Sequence, residues 1–169
     1  MILKVIGAIL IIFSAYFIGL KVSYAKRRTV HILKQLIVAF EQVVCELNYR
    51  KVPLSVIFRR VNTESDVVNQ LFYNLSDELE GQISPDVICC VKASLLQTKQ
   101  LPDELSKHVV TMGKYMGTFD LDGQIKGLNS LCKECENMLA HLSENQDIRL
   151  RNNRTLVLCA GVAIVILLF

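Results

Sequence analysis

Both ends of the chain are apolar over a length that limits the structures which the chain can adopt. Residues 1–20 are apolar except for Lys4, Ser14 and Tyr16. Twenty helical residues span about 30 Å, the thickness of the hydrocarbon core of a bilayer. Residues 155–169 form a second, shorter segment, which local thinning of a bilayer can accommodate. The sequence therefore predicts transmembrane helices over residues 1–20 and 155–169.

The first segment also has the length of a secretory signal peptide. Such a peptide carries its positive charge before the apolar run and ends at a small-residue cleavage site. Here only Lys4 lies before the run, the other basic residues follow it, and there is no convincing A-x-A site. The pattern favours a membrane helix that stays in the chain over the signal-peptide alternative.

The positive charge of the chain is concentrated beside the two apolar segments. The net charge is +3, yet residues 35–146 hold ten basic and fifteen acidic residues, a net charge of −5. Nucleic-acid binding needs a basic face on the folded domain, so this distribution argues against it. Basic flanks instead favour contact with anionic lipid head groups. The membrane-flanking basic residues are Lys21, Lys26, Arg27, Arg28, Arg149, Arg151 and Arg154.

Both groups of basic residues belong to the region between the apolar segments. Because basic residues are enriched on the cytoplasmic side of membrane proteins, this region is expected to be cytoplasmic and both termini to face the other side. The predicted organisation is a transmembrane helix (1–20), a cytoplasmic helical domain (21–154) and a second transmembrane helix (155–169). The six cysteines then lie in a reducing compartment and need no disulfide.

The spacing of apolar residues between the two segments is helical, and no run alternates as a strand does. The first helix is expected to continue to about residue 51, because no proline or glycine interrupts it, with an apolar stripe from Leu33 to Leu47. The pattern predicts an all-α bundle of about six helices, whose first and last helices are continuous with the transmembrane helices. The later helices are predicted over 53–61, 63–79 with a capping box at Thr63–Asp66, 84–99 with Ser84 as N-cap, 102–117, and from 120–122 onward.

Cys132 and Cys135 form a C-x-x-C pair, a spacing that redox and zinc sites use. They also recur with apolar residues at steps of three and four from Ile125 to Leu142, which places both thiols on the seam of a helix. The sequence holds neither a second C-x-x-C for zinc nor the preceding strand of a thioredoxin-like site. We interpret both as core positions, and the alternative is a membrane-tethered thiol redox sensor or enzyme.

No other pattern in the sequence indicates catalysis. His31, His108 and His141 lack the spacing of a metal site. Asp120 and Asp122 do not match a calcium-binding EF-hand loop and are interpreted as acids at the start of a helix. We therefore expect no enzyme activity, cofactor or metal.

Residues 117–123 form the clearest loop of the sequence. Loops often carry function, and this one combines two acids with glycines. An ordinary connection between helices is the alternative. The candidate partner-binding residues are Gly117, Asp120, Asp122 and Gln124.

The first apolar segment contains a pair of small residues at helical spacing. Ala15 and Gly19 form a small-xxx-small pair, which lets two helices approach closely in a membrane. Such pairs also occur by chance, so the sequence leaves a homo-oligomer open.

Three short motifs follow one another along the chain. The first is its opening, Met1–Ala8, and the second is Glu46-x-x-Tyr49 followed by Pro53-Leu54. The third consists of Gly113, Gly117, Asp120 and Gln124, with Met112 and Met116 at two further positions. The second and third resemble the E-x-x-Y-x-x-x-P-L and F-G-x-x-L-G-x-x-D-x-x-x-Q elements of the stage III sporulation protein AB family of endospore-forming bacteria, and the first resembles the opening of that family. Met112 and Met116 stand in place of the Phe and the Leu.

The resemblance implies a role in sporulation. Members of this family are thought to lie in the mother-cell membrane around the forespore, as part of a channel complex between the two cells. Their helical domain is similar to domains of the inner-membrane platform proteins of type II secretion and type IV pilus systems. The implied function is a non-catalytic membrane platform, an expectation from fold analogy. The implied partners are a secretion-type ATPase of the same complex and other channel-complex membrane subunits.

Overall fold

The computed structural model describes the backbone of residues 2–49, 52–81, 86–118 and 120–143. Within these ranges it describes side chains from residue 24 onward, except at residue 118. All regular secondary structure in these ranges is helical, in six helices, which confirms the all-α prediction. The helices are α1 (Ile2–Tyr49), α2 (Leu54–Arg60), α3 (Asp66–Glu80), α4 (Val87–Gln97), α5 (Asp103–Thr118) and α6 (residues 121–143).

The chain divides into two compact units. One comprises His31–Leu139 and contains the described hydrophobic core, and the other comprises Met1–Val30 and Ala140–Phe169. Among the described residues, no helix has both the length and the apolar character needed to cross a bilayer. The predicted segment 155–169 lies outside the described residues, as do the side chains of the predicted segment 1–20.

Two prolines mark the start of helices, as predicted. Pro53 is the N-cap of α2, and its carbonyl accepts hydrogen bonds from the next turn, 3.0 Å from the Val56 nitrogen. Pro102 precedes α5, and its carbonyl lies 2.9 Å from the Leu105 nitrogen. Proline is well suited to a helix start because the amide hydrogen that it lacks would have no partner there.

The starts of α3 and α4 differ from the prediction. The capping box predicted over Thr63–Asp66 is wrong, because the N-cap of α3 is Ser65 and not Thr63, and the Ser65 side chain makes no capping hydrogen bond. For α4 the predicted N-cap was Ser84, whereas the structure has Asp86, whose Oδ1 accepts from the Ile88 nitrogen at 3.0 Å. A carboxylate satisfies an amide and also interacts favourably with the helix dipole, which explains the later start.

The core is built on the stripe of α1 and an aromatic cluster. Phe40 of α1, Phe58 of α2 and Phe72 of α3 are fully buried, and the Phe72 ring lies 6.4 Å from that of Phe40 and 5.7 Å from that of Phe58. Such tilted contacts stabilise by about 0.5–1.5 kcal/mol beyond the area that they bury. Further along, α3 packs on α2 and α4, and α4 packs on α5. The buried α1 residues include Leu33, Leu36, Phe40 and Leu47 of the predicted stripe. The spacing allows either Val43 or Val44 as its fifth member, and the structure buries Val43.

Two glycines allow close packing between helices. A Cβ at Gly113 of α5 would lie 2.9 Å from Cγ2 of Val91 in α4, closer than packed carbon atoms approach. A Cβ at Gly127 of α6 would lie 2.6 Å from the ring of Tyr115. At Gly117 the nearest atom would be 3.7 Å away, an ordinary contact. Close packing therefore requires glycine at 113 and 127 but not at 117.

Candidate functional site

The predicted partner-binding residues lie where α5 connects to α6. Asp120 is the N-cap of α6: its Oδ1 accepts from the Gly123 nitrogen at 3.1 Å, and its carbonyl accepts from the Gln124 nitrogen at 2.8 Å. The carboxylate satisfies an amide that has no partner within the helix. This confirms Asp120 as an acid at a helix start.

The other three predicted residues surround this cap. Nε2 of Gln124 donates to the Met116 carbonyl at 3.2 Å, which ties α6 to the last turn of α5. Gly117 is exposed in that last turn, and Asp122 is exposed in the first turn of α6. Within the described part of the chain, the Asp122 carboxylate makes no hydrogen bond or ion pair. Of the three side chains in this set, that of Asp122 can therefore be replaced without loss of a described hydrogen bond.

The thiols of the C-x-x-C pair lie in the core, as predicted. Cys135 is fully buried and Cys132 is 8% exposed. Burial is the main cause that raises the pKa of Cys132 to about 11 and that of Cys135 to about 12, and nearby acids add to the effect. Because the reactive species is the thiolate, both groups are held in their unreactive thiol form at neutral pH.

The basic residues that flank the first apolar segment are partly described. Lys26, Arg27 and Arg28 are exposed on α1, beside Tyr24, whose side chain is 74% exposed. Lys21 also lies in α1, but its side chain is outside the described part. The predicted flanking residues of the second segment, Arg149, Arg151 and Arg154, lie outside the described residues.

The connection between α2 and α3, residues 61–65, is bound by two glutamines of α1 that the sequence reasoning missed. Nε2 of Gln42 donates to the Asn62 carbonyl at 2.9 Å, and its Oε1 accepts from the Asn62 nitrogen at 3.0 Å. Gln35, seven residues earlier and so on the same side of the helix, accepts from the Glu64 nitrogen at 3.1 Å. Each side-chain amide thereby satisfies main-chain groups of the connection.

Asn69 of α3 binds the same connection from the other side. Its Nδ2 donates to the Thr63 carbonyl at 2.8 Å. Its Oδ1 accepts from the Thr63 nitrogen at 2.7 Å and from the Thr63 hydroxyl at 2.8 Å. All three bonds hold Thr63, the residue at which the capping box is predicted to begin. The 61–65 connection is consequently fixed by side chains of both α1 and α3.

A groove of about 440 Å³ lies beside the end of α2. Its two arginines are paired with acids: Arg59 with Asp77 and Glu80, and Arg60 with Glu46, 3.6 Å from its carboxylate. These pairs neutralise the positive charge, so the groove offers little attraction to an anion. Among the described residues, no group of three or more His, Cys, Asp or Glu is arranged to hold a metal ion.

These features define a class: an all-α bundle whose polar candidate residues largely cap and join helices. A comparison with protein families matches residues 4–169 to the family described as stage III sporulation protein AB. The chain belongs to the stage III sporulation protein AB family, as its motifs indicate. A comparison with curated proteins gave no match.

A solved structure of stage III sporulation protein AB (SpoIIIAB) has a similar fold. The two superpose with a TM-score of 0.59 at 21% sequence identity. The match covers 69% of this chain and 94% of the solved chain. At this identity the similarity shows the fold, and it agrees with the family that the sequence match gives.

Proposed function

We propose that this sporulation protein is a non-catalytic membrane platform subunit of a secretion-like channel complex between mother cell and forespore. It couples a cytoplasmic secretion-type ATPase to the membrane subunits of the channel. The observation that carries the proposal is a folded helical domain joined to two apolar end segments with basic flanks. Such a chain can hold other proteins at a membrane without itself transforming a substrate.

Membrane anchoring is supported by the hydropathy of residues 1–20 and 155–169 and by the exposed cluster on α1. Lysines and arginines at the cytoplasmic end of a membrane helix attract anionic lipids, and tyrosine is enriched at the level of the head groups. Tyr24, Lys26, Arg27 and Arg28 are all exposed and have this chemistry. In the proposed orientation the helical domain is cytoplasmic and both termini lie on the other side of the mother-cell membrane.

Two exposed thiols provide a test of this orientation. Cys45 and Cys89 are exposed, whereas Cys90, Cys132 and Cys135 are buried. A membrane-impermeant maleimide should label the full chain in inside-out vesicles but not in right-side-out vesicles. The Cys45→Ser, Cys89→Ser variant is the control, and its labelling in inside-out vesicles should fall to background. Labelling of Cys45 or Cys89 in right-side-out vesicles would contradict the orientation.

The junction of α5 and α6 is the proposed contact for the ATPase. Asp122→Lys reverses an exposed charge without removing a described hydrogen bond, and we expect it to weaken ATPase binding about fivefold. Asp120→Asn removes charge but keeps the capping acceptor, so it should weaken binding less. Glu134→Lys, an equal change at an exposed position of the same helix, is the matched control. Unchanged binding by Asp122→Lys would remove this junction from the interface.

The alternative function is a thiol redox sensor or enzyme that uses Cys132 and Cys135. Their burial and raised pKa favour a packing role. The Cys132→Ala, Cys135→Ala variant should therefore lose about 1–2 kcal/mol of stability and still support sporulation. Loss of sporulation by a variant that folds and accumulates normally would favour the redox alternative.

A further inference from the structure

The outer face of α4 is apolar where a surface helix is normally polar. Cys90, Val91 and Ser94 are buried on the inner face, where α4 packs on α3 and α5. Yet Leu96 is 79% exposed, the highest exposed fraction of any large aliphatic side chain in the described part of the chain. A helix face that carries large apolar side chains ordinarily packs against another part of the protein or a partner. No described residue covers the outer face of α4 at Leu96.

The outer face consists of Ile88, Cys89, Lys92, Leu95 and Leu96, which share one side of the helix at steps of three, four and seven residues. Cys89, Lys92 and Leu96 are exposed, and Ile88 and Leu95 are half-buried. Large apolar side chains thus stand about one turn to either side of Lys92, and a second exposed lysine, Lys99, follows the end of the helix.

The charge of this face indicates the chemistry of its cover. α4 contains no acidic residue, and Lys92 makes no ion pair within the described ranges. A partner that covers Ile88 and Leu96 also covers Lys92 between them, and a buried cation requires an opposite charge. A partner that presents a carboxylate between two apolar groups therefore fits the charge of this face.

A membrane and a second copy of the chain both fit this face poorly. Helices that lie on a bilayer segregate their charges from a continuous apolar face, whereas Lys92 lies in the middle of the apolar row. In a symmetric dimer the same patch of each copy meets its counterpart, and that would bring the lysines of two copies together. A separate protein that carries an acidic residue places Lys92 neither in a bilayer nor beside a second lysine.

We propose that the outer face of α4 binds an amphipathic helix of another protein, in which a carboxylate is flanked by apolar residues one turn to either side. The apolar residues pack on Ile88, Leu95 and Leu96, and the carboxylate pairs with Lys92. This inference does not depend on which protein of the complex supplies the helix. Gly117 of the α5–α6 junction lies beside Val87 at the start of α4, but the two proposals rest on different side chains, so variants at Lys92 and Asp122 test them separately.

A photo-crosslinking amino acid at position 96 of the full chain tests the proposal in sporulating cells. The cross-linked peptide is identified by mass spectrometry, synthesised, and titrated against the detergent-purified full chain by fluorescence anisotropy. We expect a helical peptide with the stated pattern. Lys92→Glu should weaken its binding about tenfold, and replacing the carboxylate of the peptide by lysine should restore binding to that variant.

Lys107→Glu is the matched control, because Lys107 is an exposed lysine of α5 and its replacement changes the net charge equally. It should leave peptide binding unchanged, and both variants should melt at the temperature of the parent chain. Cross-links to lipid, to a second copy or to a peptide without an acidic residue would each overturn the proposal, as would no cross-link at position 96. Failure here with intact ATPase binding would leave the platform proposal in place.

Discussion

Two connections of the domain are stabilised in different ways. Residues 61–65 are bound by side chains distant in sequence, Gln35 and Gln42 of α1, and also by Asn69 of α3. The α5–α6 junction is closed by its own neighbours, with Asp120 capping α6 and Gln124 reaching back to α5. Tertiary bonds join the first connection to α1, and Asn69 joins it to α3, whereas the second is held by bonds between residues at most eight positions apart. The comparison therefore separates a connection fixed by side chains distant in sequence from one closed by residues close to it in sequence.

The largest effect is expected from Asn69→Ala. It removes three hydrogen bonds to Thr63, two of them to main-chain groups, and should lower the free energy of unfolding by about 2–3 kcal/mol. Chemical denaturation of the detergent-solubilised full chain measures this loss. Asn129→Ala, at an exposed position of α6, is the control and should cost less than about 0.5 kcal/mol. Equal losses of stability for both variants would contradict the claim that the bonds of Asn69 stabilise the 61–65 connection.

The double variant Gln35→Leu, Gln42→Leu should cost about 2 kcal/mol. Each glutamine bonds a partly exposed main-chain segment, so water replaces part of what is lost. Combined with Asn69→Ala, the loss should be smaller than the sum of the separate losses, because all three side chains hold one connection. Strict additivity would show that the 61–65 connection is not a single unit.

Gly113→Ala and Gly117→Ala compare two positions one turn apart on α5. At position 113 the new methyl group would meet Val91, so we expect a net loss of about 1–2 kcal/mol. At position 117 there is room, and replacing glycine within a helix should leave stability unchanged or raise it by up to about 1 kcal/mol. Thermal unfolding of the two variants side by side measures the difference, and destabilisation by Gly117→Ala would show that the junction is more tightly packed than its distances indicate.

The smallest effect is expected at Asp120. Asp120→Ala removes the cap of α6 and should cost about 1 kcal/mol, whereas Asp120→Asn keeps the acceptor and should cost a few tenths. Fragment-level hydrogen exchange can place the loss in the first turn of α6. Protection lost instead across α1 or α3 would show that this junction, too, is coupled to the core.

The fold could be predicted from the sequence because its signals are local. Pro53 and Pro102 mark helix starts, and the apolar stripe of α1 and the seam with Cys132 and Cys135 follow from helical spacing alone. The start of α4 was misplaced because Ser84 and Asp86 are both good caps. Only the hydrogen bond of Asp86 to Ile88 decides between them.

The polar network around residues 61–65 could not be predicted in this way. Its bonds join residues separated by 20 and 29 positions, and glutamine on a helix surface gives no periodic signal. The outer face of α4 was missed because its apolar residues read equally well as core. The loop predicted over residues 117–123 is wrong at both ends, because Gly117 lies within α5 and α6 begins at residue 121. The structure also distinguishes the cap, Asp120, from the exposed carboxylate of Asp122.

Co-purification of the tagged full chain from membranes of sporulating cells tests the central claim most directly. The account predicts that a secretion-type ATPase and membrane subunits of the channel come with the chain. It also predicts that Asp122→Lys depletes the ATPase selectively while Glu134→Lys does not. A chain that is recovered folded from these membranes without either class of protein, or that by itself turns over a small molecule, would contradict the account.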